Sequence, residues 1–129
     1  MPSRSAKEIL ENKVIKTSEL INPKIQNTVN AYASDGAIAI TNRLVKLTKG
    51  SAGAYTLAAP TVKEEGCEMT ITSASAYAHV VTATGLIEDG VTGGAKTTMT
   101  FAAFKGATIT LIAISAKWHV KSKNVVTIT

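Results

Sequence analysis

Two histidines, one cysteine and a few adjacent carboxylates are the residues in this 129-residue chain best suited to chemistry. His79, His119 and Cys67 are metal-ligand types, and a metal site would need them brought to one point. Their spacing contains no close ligand pair, and no Asp or Glu stands near either histidine. No metal site is therefore expected, and each histidine reads as an ordinary strand-face side chain. Cys67, between Gly66 and Glu68, has no cationic neighbour to make its thiol reactive, so it reads as a small, half-buried residue. As the single cysteine it can form no intrachain disulfide.

Glu64-Glu65 and Glu88-Asp89 are the carboxylate pairs that general acid–base work would call on. Both stand near glycines in expected loops, where they read as solvated turn formers whose side chains diverge. Ser73, Ser75 and Ser115 flank strands without a His-Asp partner nearby in sequence, and no G-x-S-x-G elbow is present. The glycine-rich run Gly90-Val91-Thr92-Gly93-Gly94 lacks the G-K-[ST] ending and the following helix of a phosphate cradle. Trp118 reads as a core or subunit-interface residue. Tyr32, Tyr55 and Tyr77 are scattered, so no aromatic shelf for sugar or single-stranded nucleic acid is expected. No catalytic residue, cofactor site or enzymatic activity follows from these patterns.

The charge pattern bounds the partners. Fourteen basic and nine acidic residues give a net charge of +5, and the pI is near 9.4. That value raises the question of nucleic acid. The basic residues are nevertheless spread along the chain, and Arg4 and Arg43 are the only arginines, where phosphate and base recognition favours guanidinium forks. Nucleic acid is not an expected partner. With 45% hydrophobic and 18% charged residues the chain is too apolar for disorder. At 5% aromatic its core must come from Ala, Val, Ile, Leu and Thr. No apolar run reaches the ~18 residues of a membrane-spanning helix. The charged opening residues carry no apolar leader segment, so neither membrane nor secretory export is expected.

The elements that must position these side chains fall into two regions. In the first, Ser5-Ala6-Lys7-Glu8 fits a capping box. Ile9, Leu10, Val14 and Ile15 follow, with Glu11, Asn12, Lys13 and Lys16 between them, which predicts a short amphipathic helix over 6–16. Asn22-Pro23 stops its continuation. A helix this short does not persist alone in water, so its stripe needs a surface: this domain, a sister subunit or a foreign protein. From the Asp35-Gly36 turn onward the pattern has a period of two, with strands expected at 37–40, 43–48, 54–58, 68–73, 79–84, 98–103, 107–114, 117–121 and 124–128. Ala103 should point inward with Met99 and Phe101, 107–114 is apolar on both faces and so central, and 85–94 should be a long exposed loop. Short strands at spacings near ten residues predict an all-β fold: an antiparallel β-sandwich, a jelly-roll-like domain or a barrel. The expected organisation is an N-terminal arm, 1–34, and a single β domain, 35–129.

The run from Tyr55-Thr56-Leu57-Ala58-Ala59-Pro60-Thr61 through Met69-Thr70-Ile71-Thr72-Ser73, Ala78-His79-Val80-Val81-Thr82, Thr100-Phe101-Ala102-Ala103-Phe104-Lys105-Gly106-Ala107 and Lys117-Trp118-His119-Val120 resembles small virion proteins of tailed bacteriophages, the capsid decoration and head-fibre class. It covers about half of the chain and departs from the class at Ser115-Ala116, where a tight Asn-Gly turn would be expected. The resemblance implies a non-enzymatic decoration (cement) protein that binds the outside of the assembled head and stabilises it. It implies a homotrimer partnered by the major capsid protein, made in the host cytoplasm and resident on the outer surface of the virion. The alternative is a head-fibre or tail-fibre knob that recognises a host surface, with 85–94 as its candidate loop. In the first case the arm becomes a capsid or subunit contact. Ile9, Leu10, Val14, Ile15, Leu20 and Ile21 would then be buried, with Lys13, Lys16 and Lys24 at the rim.

Overall fold

A computed structural model of the chain describes residues 27–129. The expected helix over 6–16 and every arm contact residue named above lie outside the described residues. Ten strands follow: β1 Val29–Tyr32, β2 Gly36–Ile38, β3 Leu44–Leu47, β4 Ala54–Leu57, β5 Glu68–Ser73, β6 Val80–Glu88, β7 Lys96–Phe101, β8 Thr108–Ile114, β9 Lys117–Asn124 and β10 Val126–Ile128. One 3-10 turn, Val62–Glu64, interrupts the link between β4 and β5. The described chain is thus nearly all β. Its sheet begins at Val29, ahead of the Asp35-Gly36 turn where the period-two pattern was expected to open.

All ten strands join one sheet, in the order β1-β3-β5-β8-β9-β6-β4-β2, with β7 on β6 and β10 on β7. Divided at the β9–β6 pairing, the sheet has two halves: β1, β3, β5, β8 and β9 in one, β2, β4, β6, β7 and β10 in the other. Through its first six strands the chain changes half at every step, so the sheet partner of each strand is the next but one. Such pairs are parallel. The expected antiparallel sheet is corrected here, because β1–β3, β2–β4, β3–β5, β4–β6 and β6–β9 are parallel, while β5–β8, β6–β7, β8–β9 and β7–β10 are antiparallel. The reason is physical: a period of two reports which face of a strand is buried and is silent on the direction of its neighbours. A parallel pair needs a crossover connection, and here a strand of the other half takes the place of the usual helix.

Both halves face one core. Alternate residues of each strand enter it, among them Leu47, Tyr55, Met69, Phe101, Leu111 and Trp118, all essentially without solvent contact. Strand β8 is central, as expected, yet only Ile109, Leu111 and Ala113 are buried, while Thr108, Thr110 and Ile112 are half-buried on the other face. There threonine hydroxyls pair across strands, Thr70 with Thr110 at 3.1 Å and Thr72 with Thr108 at 2.9 Å. Such cross-strand pairs stabilise a sheet by about 0.2–1 kcal/mol each. Ala103, expected inward, lies exposed in the turn after β7.

Strand β6 joins the halves. Its first residues pair with β4 and β7, and its last pair with β9, Ile87 beside Trp118 and Glu88 beside His119. The register shifts between Thr82 and Ile87, and Gly85 bends the strand at φ +67°, a conformation that a side chain would strain. The loop expected over 85–94 therefore begins only after Glu88. Two loop clusters cap the sheet. At one end, 33–35, 48–53, 74–79, 102–107 and residue 125 are tied by Phe101 N–H to His79 C=O, Gly106 N–H to Ser73 C=O and Ala102 N–H to Val125 C=O. At the other, 58–67 meets the β8–β9 hairpin, where Trp118 Nε1 donates to Ala58 C=O at 2.9 Å and Gly66 N–H to Ala113 C=O at 2.7 Å.

Candidate functional site

The polar centre of the first loop cluster is His79, fully buried at the entry to β6. Gly53 N–H donates to its Nδ1 at 2.9 Å, so Nδ1 is a bare acceptor and the ring proton sits on Nε2. Nε2 then donates to Ser75 Oγ at 2.8 Å, and Ser75 Oγ–H donates to Lys49 C=O at 2.7 Å. One closed relay of donors and acceptors thus fastens loop 74–79 to loop 48–53. The ring also stands edge-on between Tyr55 and Tyr77, at 5.9 Å and 6.4 Å, and Tyr32 meets Tyr55 at 6.4 Å. The three tyrosines, scattered in sequence, are joined in space through His79. Burial, and then the Lys49 cation, hold the His79 imidazole below its ordinary pKa.

Ser75 and His79 form a contact that sequence reasoning passed over, although four residues separate them. Next to a serine, a histidine suggests an activated nucleophile. The tautomer decides otherwise: the nitrogen facing Ser75 carries the proton, and the basic nitrogen is occupied by Gly53 N–H. Ser75 itself donates to a carbonyl. This arrangement gives the hydroxyl no general base, and the pair acts as a loop clamp.

Asp35 completes the clamp. Its Oδ1 accepts from Lys49 Nζ at 2.8 Å and from Ala54 N–H at 2.9 Å, so the turn between β1 and β2 is bound to both ends of the β3–β4 link. The Lys49 hydrogen bond, and then Ala54 N–H, keep its carboxyl below the ordinary value. Burial, and then the nearby Asp35 charge, raise the Tyr55 phenol; its hydroxyl donates to Tyr32 C=O at 3.2 Å.

His119 lies at the opposite end of β6, half-buried beside Glu88 and Ile112. The length of β6 separates it from His79. Among the described residues no group of three or more His, Cys, Asp or Glu could hold a metal ion. Cys67 is half-buried, its C=O accepting from Ala113 N–H at 2.9 Å. Trp118 belongs to the core. The adjacent Glu64 and Glu65 do diverge. Glu64, expected to be solvated, is instead buried, and it accepts from Thr61 Oγ1 at 2.6 Å and Thr61 N–H at 2.9 Å, which lower its pKa in that order. Glu65 reaches the hairpin turn and accepts from Ser115 N–H at 2.9 Å. Glu88 pairs with Lys117 at 3.5 Å, and Asp89 Oδ1 accepts from Val91 N–H at 3.1 Å.

What the clamp end offers to a partner is apolar. Tyr77, Phe104 and Val125 are 42%, 67% and 54% exposed, on three segments fastened to one another through His79, Phe101 and Ala102. Val125 is also a β-branched residue in the left-handed region, at φ +50°. Among the described residues no helix is long and apolar enough to cross a membrane. Neither the known protein families nor the curated proteins contain a match to this chain.

Proposed function

We propose that the chain is a non-enzymatic structural virion protein: a phage capsid decoration protein, homotrimeric, bound to the outside of the assembled head. One observation carries this reading. Several of the residues on which the resemblance rests hold the fold together. Thr61 binds Glu64, His79 clamps two loops, Gly106 turns the chain at φ +94°, and Trp118 binds Ala58. Their polar groups face inward, to other parts of the chain, as suits a rigid scaffold. Two five-stranded halves around one core also suit the compact β body of a small virion protein. The mechanism is mass action: a ligand that binds only the assembled shell stabilises the shell by its binding free energy. The N-terminal arm serves as anchor on the shell or clasp on a sister subunit.

Two measurements test this. Light scattering on a sizing column should give about 40 kDa, three copies of a 13.5 kDa chain closed by cyclic symmetry. The full chain should co-sediment with shells of the major capsid protein and raise their disruption temperature. A strict monomer that leaves shells untouched would overturn the reading and favour a knob that binds a host surface.

A further inference from the structure

We infer that the clamp end of the domain is a second, apolar contact with an acidic protein surface, separate from the N-terminal arm; this rests on the decoration reading, in which that surface belongs to the shell. An exposed apolar patch rimmed by polar residues marks an interaction surface. Tyr77, Phe104 and Val125 are exposed at one end; the buried His79 relay holds the loop of Tyr77, and Phe101 N–H to His79 C=O and Ala102 N–H to Val125 C=O tie the segments of Phe104 and Val125 to it. The surface is therefore preformed, and binding need not order it.

Val125 supplies an independent argument. A β-branched side chain at φ +50° strains the backbone, and Gly or Asn would relieve that strain. The fold gains little from an apolar residue there, since Val125 is 54% exposed. An outside partner would give it a use.

Charge selects the kind of partner. Lys49, Lys105 and Lys123 stand at this end, where Asp35 is the only carboxylate among the described residues and is already paired with Lys49 at 2.8 Å. Glu64, Glu65 and Glu68 lie toward the hairpin end, with Glu88 and Asp89 at the far end of β6. The clamp end is thus apolar with a cationic rim. A second copy meeting it through the same end would set Lys105 and Lys123 against their own images, which is repulsive. Nucleic acid would find no arginine fork here. A protein surface with carboxylates around an apolar recess fits.

The test uses the full chain, with undecorated shells of the major capsid protein as probe. Phe104→Ser and Lys105→Glu should each weaken co-sedimentation roughly tenfold or more. Val62→Ser, at a side chain 92% exposed near the hairpin end, should leave it unchanged. Val125→Asn should weaken binding while raising the melting temperature, a pairing that a residue kept for the fold would not give. Unchanged melting temperatures for the other variants would show that folding is intact. If the parent chain binds shells and Phe104→Ser and Lys105→Glu bind equally well, the second contact is wrong and the decoration reading stands. If the parent chain does not bind shells, both fall. Tighter binding to phosphatidylglycerol vesicles or duplex DNA than to shells, with the same residue dependence, would also overturn the inference.

Discussion

His79 can accept a proton only at Nδ1, and there it would meet Gly53 N–H, donor against donor. Its folded pKa is depressed from 6.5, so between that value and the folded one the unfolded chain binds a proton that the folded chain does not. Stability should be level in this respect above pH 6.5 and should fall as the pH drops below it. Asp35 and Glu64, whose folded pKa values are also depressed, stabilise above their ordinary 3.8 and 4.5 and lose that contribution only at lower pH. Melting curves from pH 8 to 5 check the first window: His79→Gln should flatten the slope and lower stability by about 1–3 kcal/mol, because Gly53 N–H loses its buried acceptor. Gly53 answers to a second constraint, since a Cβ there would overlap the Tyr55 ring. Gly53→Ala should cost about 1–3 kcal/mol by forcing ring and loop apart, measurable by urea denaturation. His79 reads from its neighbours as a strand-face residue, but β6 begins only at Val80 and the imidazole is fully buried in the loop before it. Its partners were not readable, because Gly53, 26 residues away, is brought to it only by the change of halves between β3 and β4.

At the scale of elements, the β8–β9 hairpin is built with the wrong residues for its turn. Ser115 and Ala116 have φ of 52° and 59°, positive at both central positions as in the type I′ turn that prefers Asn-Gly. Two-residue pairing of Ile114 with Lys117 is retained nonetheless. Glu65 helps, binding Ser115 N–H from the neighbouring loop. Ala116→Gly should therefore stabilise the domain by about 1 kcal/mol, removing left-handed strain at a site without packing; thermal denaturation is the check. Strand positions were largely legible because Thr, Val and Ile alternate along them, as in Met69, Ile71 and Ser73 against Thr70 and Thr72. The loop at Gly85 was misread for a related reason. A glycine that bends a strand and a glycine that ends one look alike in sequence, and only the pairing of Ile87 and Glu88 with β9 tells them apart.

For the whole molecule, β1 sets where the arm can be cut. A chain beginning at residue 27 keeps all ten strands and should fold with nearly the parent melting temperature; under the proposed decoration role it should bind shells more weakly for want of the arm. A chain beginning at Ser34 loses Tyr32, whose hydroxyl accepts from Ala39 N–H at 3.0 Å and from Asn42 Nδ2 at 2.5 Å and whose carbonyl accepts from Thr48 N–H at 3.0 Å and from Tyr55 OH at 3.2 Å. That truncation should be several degrees less stable or unfolded, and circular dichroism separates the two. The alternation of halves also sets the order of events in refolding. Val29 waits for Leu44, Leu44 for Thr70 and Thr70 for Thr110, so no early strand finds a neighbour close by in the chain. Long loops must close before such pairings repay them, which makes the search slow. The consecutive antiparallel pairs β6–β7 and β8–β9 are the local exceptions, and the tight two-residue hairpin around Ser115-Ala116 is the natural nucleus from which β5, then β3, then β1 can be laid down. In stopped-flow measurements Ala116→Gly should then accelerate folding, whereas Val125→Asn, at a link made late, should chiefly slow unfolding. Synthesis on the ribosome would follow the same logic: the first strands emerge long before their seats exist, and the domain closes only when its last quarter has been made.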